Sequence, residues 1–277
     1  MKSLLEGERG PGGVYIIKYQ DKTFEFPSVT TILSKLTDPD VEDLRSQMDD
    51  AKWQAISTAA ANRGNVMHAY MENFTIGLDK LGIVNEALEY SQKRTALQLT
   101  KWAYPNATVE KGRNLFYNLY YSTFKDEYQQ SLLTEGLLMN YLLGYAGRTD
   151  NIYLNKDGLV VVGDYKSSSK ILDPASNKVV KYKLQASAYA TAFNTLYGKK
   201  NIDNAYFNQW RYKVDECVIW VAHPEGFQKF SMKPLEIEIY YKYFEHIFNT
   251  HYVKFIDVKS DYKRYYVEER PSKSKSE

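Results

Sequence analysis

Two aspartates and a lysine stand in a spacing that suits metal-dependent hydrolysis of a phosphodiester. Asp150 ends the run GRTD, and Asp164 precedes Lys166 in the triplet DYK. Carboxylate oxygens are the ligands that hard divalent cations prefer, and such a cation polarises a phosphate and lowers the pKa of bound water. A lysine adds a compact positive charge for the attacking water or the transition-state oxygens. Asp150, Asp164 and Lys166 are therefore candidate catalytic residues, and the two aspartates are candidate metal ligands.

The surrounding pattern predicts a β-hairpin that brings these side chains together. An apolar segment, a turn signal at residues 155–158 and a β-branched run lead up to Asp164. Because side chains alternate along a strand, Asp164 and Lys166 share one face and Tyr165 points outward on the other. Short motifs also arise by chance, so a solvated Asp164–Lys166 pair on an exposed strand is the competing interpretation.

A helix is predicted to follow, from about Lys183 to Tyr197, with Gly198 as its stop. Gln185 and Tyr189 are four residues apart and share a face of this helix. The amide of Gln185 could hold the nucleophilic water or a DNA phosphate. In the competing interpretation the glutamine meets solvent and the tyrosine packs.

The N-terminal half is predicted to be mostly helical after a hairpin within residues 14–26. Ser28 is a candidate N-cap, and groups at a helix start can also bind phosphate. His68 shares a helix face with Glu72 and could ligate a metal as neutral imidazole, although a histidine inside a helix is more often a core residue. Two more helices are predicted within residues 85–125, and the second, at about 108–124, carries many tyrosines. Most of the 25 tyrosines are expected to pack, and a few could offer stacking faces to bases, among Tyr117, Tyr120, Tyr121 and Tyr128.

From Leu132 onward the pattern turns to strands. Glu135 precedes the hairpin and is a third acid that could reach the metal; its alternative role is that of an edge-strand charge. Two later strands are predicted at residues 207–211 and 216–222, and a closing helix at residues 234–250. Cys217, inside an apolar run, is predicted to be a buried strand residue.

Composition narrows the function classes. The 277 residues are 44% hydrophobic and 25% charged, with a net charge of +2, so any basic DNA-binding surface must be local. A single cysteine excludes an internal disulfide, a cysteine-rich zinc site and an iron–sulfur cluster. No phosphate-binding GxxxxGK[ST] loop is present, so we expect no ATP. No membrane span, signal peptide or transit peptide is apparent, so a cytoplasmic location in a bacterium or phage-infected host is expected.

Taken in order, these motifs resemble the PD-(D/E)XK nuclease superfamily. Within it they are most similar to the RecB-like exonuclease branch, in particular to the mitochondrial genome maintenance exonuclease family and its phage or bacterial relatives. The resemblance spans roughly residues 24–255. Its pieces are Pro27-Ser28-Val29-Thr30, Arg63-Gly64 leading to His68, Glu135, Asp150, Asp164 with Lys166, and Gln185 with Tyr189. Tyr165 stands where the mitochondrial protein has tryptophan.

The resemblance implies an α/β fold with a central mixed sheet flanked by helices, the restriction-endonuclease-like core, and a helical N-terminal half that guides a single strand. It implies Mg²⁺, with Mn²⁺ as a substitute, at Asp150 and Asp164, with His68 and Glu135 beside the metal. It also implies DNA contacts at Ser28, Thr30, Arg63 and Tyr189. The expected divisions are a flexible tail (1–13), a hairpin and helical wall (14–130), the nuclease core (131–255) and a C-terminal tail (256–277).

The leading hypothesis is a metal-dependent DNA exonuclease that prefers single-stranded DNA with a free end and serves DNA repair or replication. A structure-selective or nicking endonuclease on the same fold would keep every motif. A non-catalytic nucleic-acid-binding accessory protein is disfavoured, because all the acids and the lysine are intact. A helicase–nuclease fusion is disfavoured by the missing ATP-binding loop.

Overall fold

The computed structural model describes residues 5–19, 21–120, 127–198 and 213–252. Three sequence-based predictions lie outside these ranges: the strand at residues 207–211, the tail from residue 256 and the ring of Tyr121.

Three antiparallel strands open the described chain. β1 (Glu6–Arg9) pairs with β2 (Val14–Tyr19), which pairs with β3 (Lys22–Pro27). The predicted hairpin is confirmed, but the loose tail expected over residues 1–13 is wrong for residues 6–9. All four side chains of β1 are exposed, so no hydrophobic pattern marks this strand. β1 forms because the backbone N–H and C=O groups along the outer edge of β2 are available for strand pairing.

Between residues 29 and 119 the chain is helical. The helices are α1 (Val29–Leu33), α2 (Pro39–Ser46), α3 (Asp50–Leu81), α4 (Val84–Trp102) and α5 (Asn106–Leu119). The long helix predicted around His68 is confirmed as α3. It begins at Asp50 because the carboxylate of Asp49 accepts the N–H of Lys52 as an N-cap, and it ends at Gly82, whose φ is +70°.

A five-stranded mixed sheet forms the centre of the molecule. Its strands are β4 (Tyr128–Asn140), β5 (Tyr145–Asn155), β6 (Val160–Ser167), β7 (Glu216–His223) and β8 (Gly226–Met232), in that spatial order. Only β6 and β7 run parallel, and α6 (Asn177–Tyr197) lies between them in the chain. The last described helix is α7 (Pro234–Tyr252). The predicted β5–β6 hairpin, the β7 strand with buried Cys217, and both helices are confirmed.

Helices cover both faces of this sheet. One face packs against α1, α6 and α7, and contributes Val162 and Ile219 to that core. The other face packs against α3 and α5, and contributes Tyr165 and Trp220. A strand buried on both sides is apolar throughout, which explains the β-branched run in β6. Tyr165 is therefore not an outward position: it is buried under the helices, because the sheet has no solvent face there.

The tyrosines expected to stack on bases mostly serve the core. Tyr120 and Tyr128 are buried, and the Tyr128 hydroxyl donates to Asp79 at 2.6 Å. Both are therefore packing residues: Tyr120, at the end of α5, contacts Phe74 of α3, and Tyr128, on β4, contacts Tyr153. Tyr117 is half-buried, and its hydroxyl accepts from Gln92. Within the described ranges, no helix has the length and apolarity needed to cross a bilayer.

Helices α3 and α5 meet most closely at Gly112. A Cβ added there would lie 2.5 Å from Val66 Cβ and 2.8 Å from the Arg63 carbonyl oxygen, so only glycine fits. The packing continues through Phe116, which stacks on Tyr70 at 5.3 Å between ring centroids. This contact fixes the part of α3 that carries His68.

We predict that Gly112→Ala lowers the free energy of unfolding. Overpacking of this kind costs about 1–3 kcal/mol, more than the roughly 1 kcal/mol that alanine gains over glycine inside a helix. Chemical denaturation would measure the change, with Asn114→Ala on the exposed face of α5 as the matched control. Stability at or above that of the wild type in Gly112→Ala would contradict the close approach.

Candidate active site

Asp150 lies where backbone pairing between β5 and β6 stops. The last aligned pair is Asn151 with Gly163. Beyond it, Asp150 Oδ2 accepts a 2.6 Å hydrogen bond from the backbone N–H of Tyr165. The carboxylate thus takes the place of a backbone acceptor and satisfies a buried N–H. As a result, Asp150 and Asp164 occupy neighbouring strands at the point where the ladder ends.

Asp164 is held between a cation and an amide. Its carboxyl is 1% exposed, with Oδ2 2.7 Å from Lys166 Nζ and Oδ1 3.4 Å from Gln185 Nε2. Gln185 also donates to the Tyr189 hydroxyl at 3.1 Å. The shared face of Asp164 and Lys166 agrees with the alternation of the strand. A solvated surface pair is the wrong interpretation, because α6 covers this face.

His68 and Glu135 approach Asp150 from two other elements. His68 Nδ1 on α3 lies 3.5 Å from Asp150 Oδ1. One ligand atom from each of His68, Glu135 and Asp150 lies within 4.8 Å of the other two. A helix, an edge strand and a central strand therefore converge on one point. Asp164 is outside this group of three, and it adjoins the group beside Asp150.

Glu135 reaches this point from a distorted backbone. Its φ is 47°, in the left-handed region, although it lies inside β4. That conformation costs a residue with a Cβ about 1–2 kcal/mol. Glu135 does lie on an edge strand of the sheet, as the alternative interpretation held. Its carboxyl nevertheless faces His68 and Asp150.

Burial and mutual repulsion make the acids reluctant to ionise. Burial, reinforced by the charge of Asp150, raises the pKa of Glu135 to about 8. Burial also raises the pKa of Asp164 to about 6, against the opposing charge of Lys166. For Lys166, burial alone would lower the pKa, but the carboxylates of Asp164 and Asp150 outweigh it and raise the pKa. Lys166 therefore stays a cation.

The residues present fit a divalent cation. Carboxylate oxygens suit Mg²⁺ and Mn²⁺, and an imidazole is acceptable to Mn²⁺. Asp164 Oδ2 is buried, and the Lys166 ammonium lies 2.7 Å from it. A bound cation would reduce the repulsion between these acids and would give the buried Asp164 oxygen a further partner.

The helix start at Ser28 is a cap, not a DNA contact. Ser28 is buried, and its hydroxyl accepts from the Thr31 N–H at 3.0 Å and bonds to the Thr30 and Thr31 hydroxyls. The DNA contact expected at Ser28 is wrong, since capping consumes its hydroxyl. Thr30 is exposed, and Arg9 Nη2 lies 3.5 Å from its hydroxyl. Thr30 therefore remains accessible to a ligand.

Tyr189 is also unavailable to DNA. It is buried against Gly147, where an added Cβ would lie 2.6 Å from the tyrosine ring. The predicted DNA contact at Tyr189 is wrong; the ring packs behind the sheet, as the competing interpretation held. Arg63 is half-buried on α3, and a Cβ added at the adjacent Gly64 would lie 3.3 Å from Ser167 Oγ. Gly64 thus lies beside the end of β6, one residue after Arg63.

Two residues of the site were missed from the sequence. The Tyr182 ring lies 5.3 Å from Lys166 Nζ, and burial raises its pKa to about 12. The sequence did contain a clue to Tyr182, because it lies one turn before Gln185 on the same helix face. Asn151 is buried behind Asp150; it accepts from Ser131 at 2.8 Å and donates to the Tyr165 hydroxyl at 3.4 Å. No spacing rule marks such a residue.

We predict that metal-free protein loses stability as pH rises. The pKa of Glu135 is about 8 in the folded chain against an ordinary 4.5, so the folded state keeps a proton that the unfolded state releases. The contribution of Glu135 to the free energy of unfolding should therefore be greatest near and below pH 4.5, fall by up to about 1.4 kcal/mol per pH unit between pH 4.5 and about 8, and level off above pH 8.

Thermal melts of EDTA-treated protein between pH 5 and 8.5 would measure this slope. Glu135→Gln should flatten much of it, whereas Glu110→Gln, exposed on α5, should leave it unchanged. A slope in Glu135→Gln equal to that of the wild type would show that Glu135 titrates normally.

Likeness to solved structures is distant. A protein from Eubacterium rectale described as a putative exonuclease aligns with a TM-score of 0.39 and 11% identity, over 68% of this chain and 66% of that one, just under two thirds. The protein SSO0001 aligns with a TM-score of 0.28 and 15% identity, over 59% of this chain and 69% of that one. Likenesses this distant decide neither fold nor function. No curated protein matches the sequence.

The family match is much broader. Residues 42–265, well over half of the chain, match the family model described as PD-(D/E)XK nuclease superfamily. The matched stretch contains α3 with His68, the β4–β6 strands with their three acids, and α6 with Gln185. The chain belongs to the PD-(D/E)XK nuclease superfamily.

Proposed function

We propose that this nuclease is a divalent-metal-dependent DNA exonuclease that degrades single-stranded DNA from a free end, and that it belongs to the RecB-like exonuclease branch. The observation that carries the proposal is the convergence of Asp150, Glu135 and His68 beside the buried pair of Asp164 and Lys166. Hydrolysis of a DNA backbone needs a metal cation and a positively charged side chain at one point. Here the three side chains are possible ligands for the cation, and Lys166 is the positive side chain.

Asp150, Glu135 and His68 would hold the cation, with Asp164 beside them. Mg²⁺ or Mn²⁺ bound there would neutralise phosphate charge and lower the pKa of a nearby water. The Tyr165 N–H fixes one oxygen of Asp150, so the other is free to face the cluster. These side chains come from separate elements, which gives the site a geometry that no single segment could adopt alone.

Lys166 would act as a fixed positive charge and not as a base. Its raised pKa, which results from Asp164 and Asp150 outweighing burial, keeps the ammonium protonated at neutral pH. The Tyr182 ring lies over it and limits its movement. An ammonium held in this way can orient the attacking water and stabilise the charge that develops on the phosphate oxygens.

Gln185 would position Asp164. Its amide nitrogen lies between Asp164 Oδ1 and the Tyr189 hydroxyl, and Tyr189 is anchored in the core. Such a chain fixes the carboxyl orientation, as partners beyond the ligands do in metal sites generally. Its catalytic contribution is thus exerted through Asp164.

The helical arm, residues 39–65, supports the need for a free end. None of the described side chains from residue 41 to 65 is buried, whereas α3 is packed from Val66 onward. The exposed part of α3 has 16 residues and is about 24 Å long at 1.5 Å per residue. It ends one turn before His68, so the arm rises from the edge of the site. A helical wall at the edge of the site favours single-stranded DNA that enters by a free end.

DNA contacts are proposed at Thr30 and Arg63. Thr30 is exposed, and Arg63 is half-buried on α3, one residue before Gly64, which lies beside the end of β6. With a net charge of only +2, binding must rely on such local groups. Phosphate contacts of this kind weaken as salt increases.

We predict that Asp164→Asn and Lys166→Met each lower the cleavage rate at saturating DNA about a hundredfold or more, because each removes a preorganised charge from the reacting phosphate. Rates would be measured with Mg²⁺ on labelled single-stranded DNA. Asp157→Asn and Lys156→Met, exposed in the turn of the same hairpin, are matched controls.

DNA affinity in EDTA separates the possible roles of Lys166. Lys166→Met should keep that affinity while it cleaves slowly. Weaker DNA binding together with a normal rate at saturation would make Lys166 a phosphate clamp, and near-normal activity in Asp164→Asn would sink the proposed site.

We predict that linear single strands are degraded, blunt duplexes far more slowly, and closed single-stranded circles not at all. The physical reason is that the helical arm walls off one side of the site, so DNA has to enter by a free end. The measurement compares a closed circle with the same circle linearised at one position, under identical Mg²⁺. Rapid cutting of the closed circle by pure protein would reject threading and favour an endonuclease on this fold.

A further inference from the structure

Glu135 has a left-handed backbone in the middle of β4, with φ 47°. The other described non-glycine residue with positive φ, Ala103, is the C-cap of α4, where that conformation is common. No helix end accounts for Glu135. A residue with a Cβ avoids this conformation unless its surroundings impose it, and such residues concentrate at functional sites.

The register of β4 shifts between Ser131 and Leu133 but is kept across Glu135 itself. Thr134 still aligns with Asn151 and Gly136 with Thr149, so Glu135 stays opposite Asp150. Gly136 permits the sharp bend, since an added Cβ would lie 2.0 Å from Leu133 Cγ. The effect is to redirect one side chain without loss of strand register.

Arg148 holds the distorted residue from the neighbouring strand. Its Nη1 donates to the Glu135 carbonyl oxygen at 2.5 Å. Arg148 and Asp150 are two residues apart on β5 and share a face, so the guanidinium reaches across from beside a proposed ligand.

Arg148 is exposed, and its charge reaches two of the acids. Its charge favours the ionised form of both Glu72 and Glu135, against the burial that disfavours it. Glu72 follows His68 by one turn of α3. Arg148 therefore contacts the backbone of one acid and balances the charge of two.

We infer that Arg148 is a positioning residue that locks Glu135 in its left-handed conformation, and thereby presents the Glu135 carboxylate to the cation together with His68 and Asp150. This inference rests on the proposed metal site. It assigns Arg148 a role exerted through Glu135 and not through a contact with DNA.

The test is the affinity of the full chain for Mn²⁺ alone, measured by titration calorimetry without DNA. Arg148→Met should bind Mn²⁺ about tenfold or more weakly, the range found when partners of metal ligands are removed. Arg148→Lys should recover part of the loss. Arg94→Met, exposed on α4, is the matched control and should bind like the wild type.

A double variant tests whether Arg148 acts through Glu135. If it does, adding Arg148→Met to Glu135→Gln should cause no further loss of Mn²⁺ affinity. DNA affinity in EDTA should be unchanged in Arg148→Met, and excess Mn²⁺ should restore its cleavage rate. Melting curves would check that each variant is folded.

Wild-type Mn²⁺ affinity in Arg148→Met, or additive losses in the double variant, would overturn the inference and leave the proposed function standing. Weaker DNA binding with unchanged Mn²⁺ affinity would overturn it in favour of a phosphate contact. No Mn²⁺ binding by the wild type would overturn the proposed metal site and this inference together.

Discussion

Carboxylates gathered in a partly buried place repel one another, and the rest of this structure is arranged around that repulsion. Asp164 is almost fully buried, and the pKa values of Asp164 and Glu135 are raised to about 6 and about 8, chiefly by burial. An isolated buried carboxyl group would either stay protonated or, if ionised, destabilise the fold. Here the Lys166 ammonium, the Arg148 guanidinium and one backbone N–H partly compensate, and a bound cation would complete the balance.

Such a site needs rigid support, because each acid would gain by moving toward water. Three packed layers supply it. Tyr165, whose N–H binds Asp150, is buried on the face covered by α3 and α5, and Tyr189 is buried on the face covered by α6. A hydrogen-bonded chain through Asn151 and Ser131 ties β4 to β5 behind the acids. Polar groups satisfied in this way specify one arrangement of the strands.

One helix serves both the site and the path to it. The second half of α3 is packed in the core, while its first half carries no buried residue. His68 lies close to that transition, just after Val66, where Gly112 lets α5 approach. Packing therefore fixes the helix backbone at His68, and the exposed half of α3 is available to shape access to the site. The strain at Glu135, about 1–2 kcal/mol, is of the size that one hydrogen bond from a charged donor offsets, about 1.5–3 kcal/mol.

Local pattern was enough to predict many parts of this protein. Alternation along β6 placed Asp164 and Lys166 on one face, helical spacing paired Gln185 with Tyr189, and turn chemistry located the β5–β6 hairpin, because these depend on neighbours within a few residues. The mixed sheet with helices on both sides was also predicted, from the resemblance that those motifs carry.

What the sequence could not decide were contacts between distant segments. It did not reveal that β1 pairs on a backbone edge, that Ser28 and Tyr189 are consumed by capping and packing, or that Tyr182 lies over Lys166. Nor could it reveal the left-handed backbone of Glu135, which is imposed by a neighbouring strand. Sequence by itself determined the candidate residues for chemistry and the local elements that hold them. Only the tertiary structure decided which of them face one another, since burial and long-range contacts arise when the layers close.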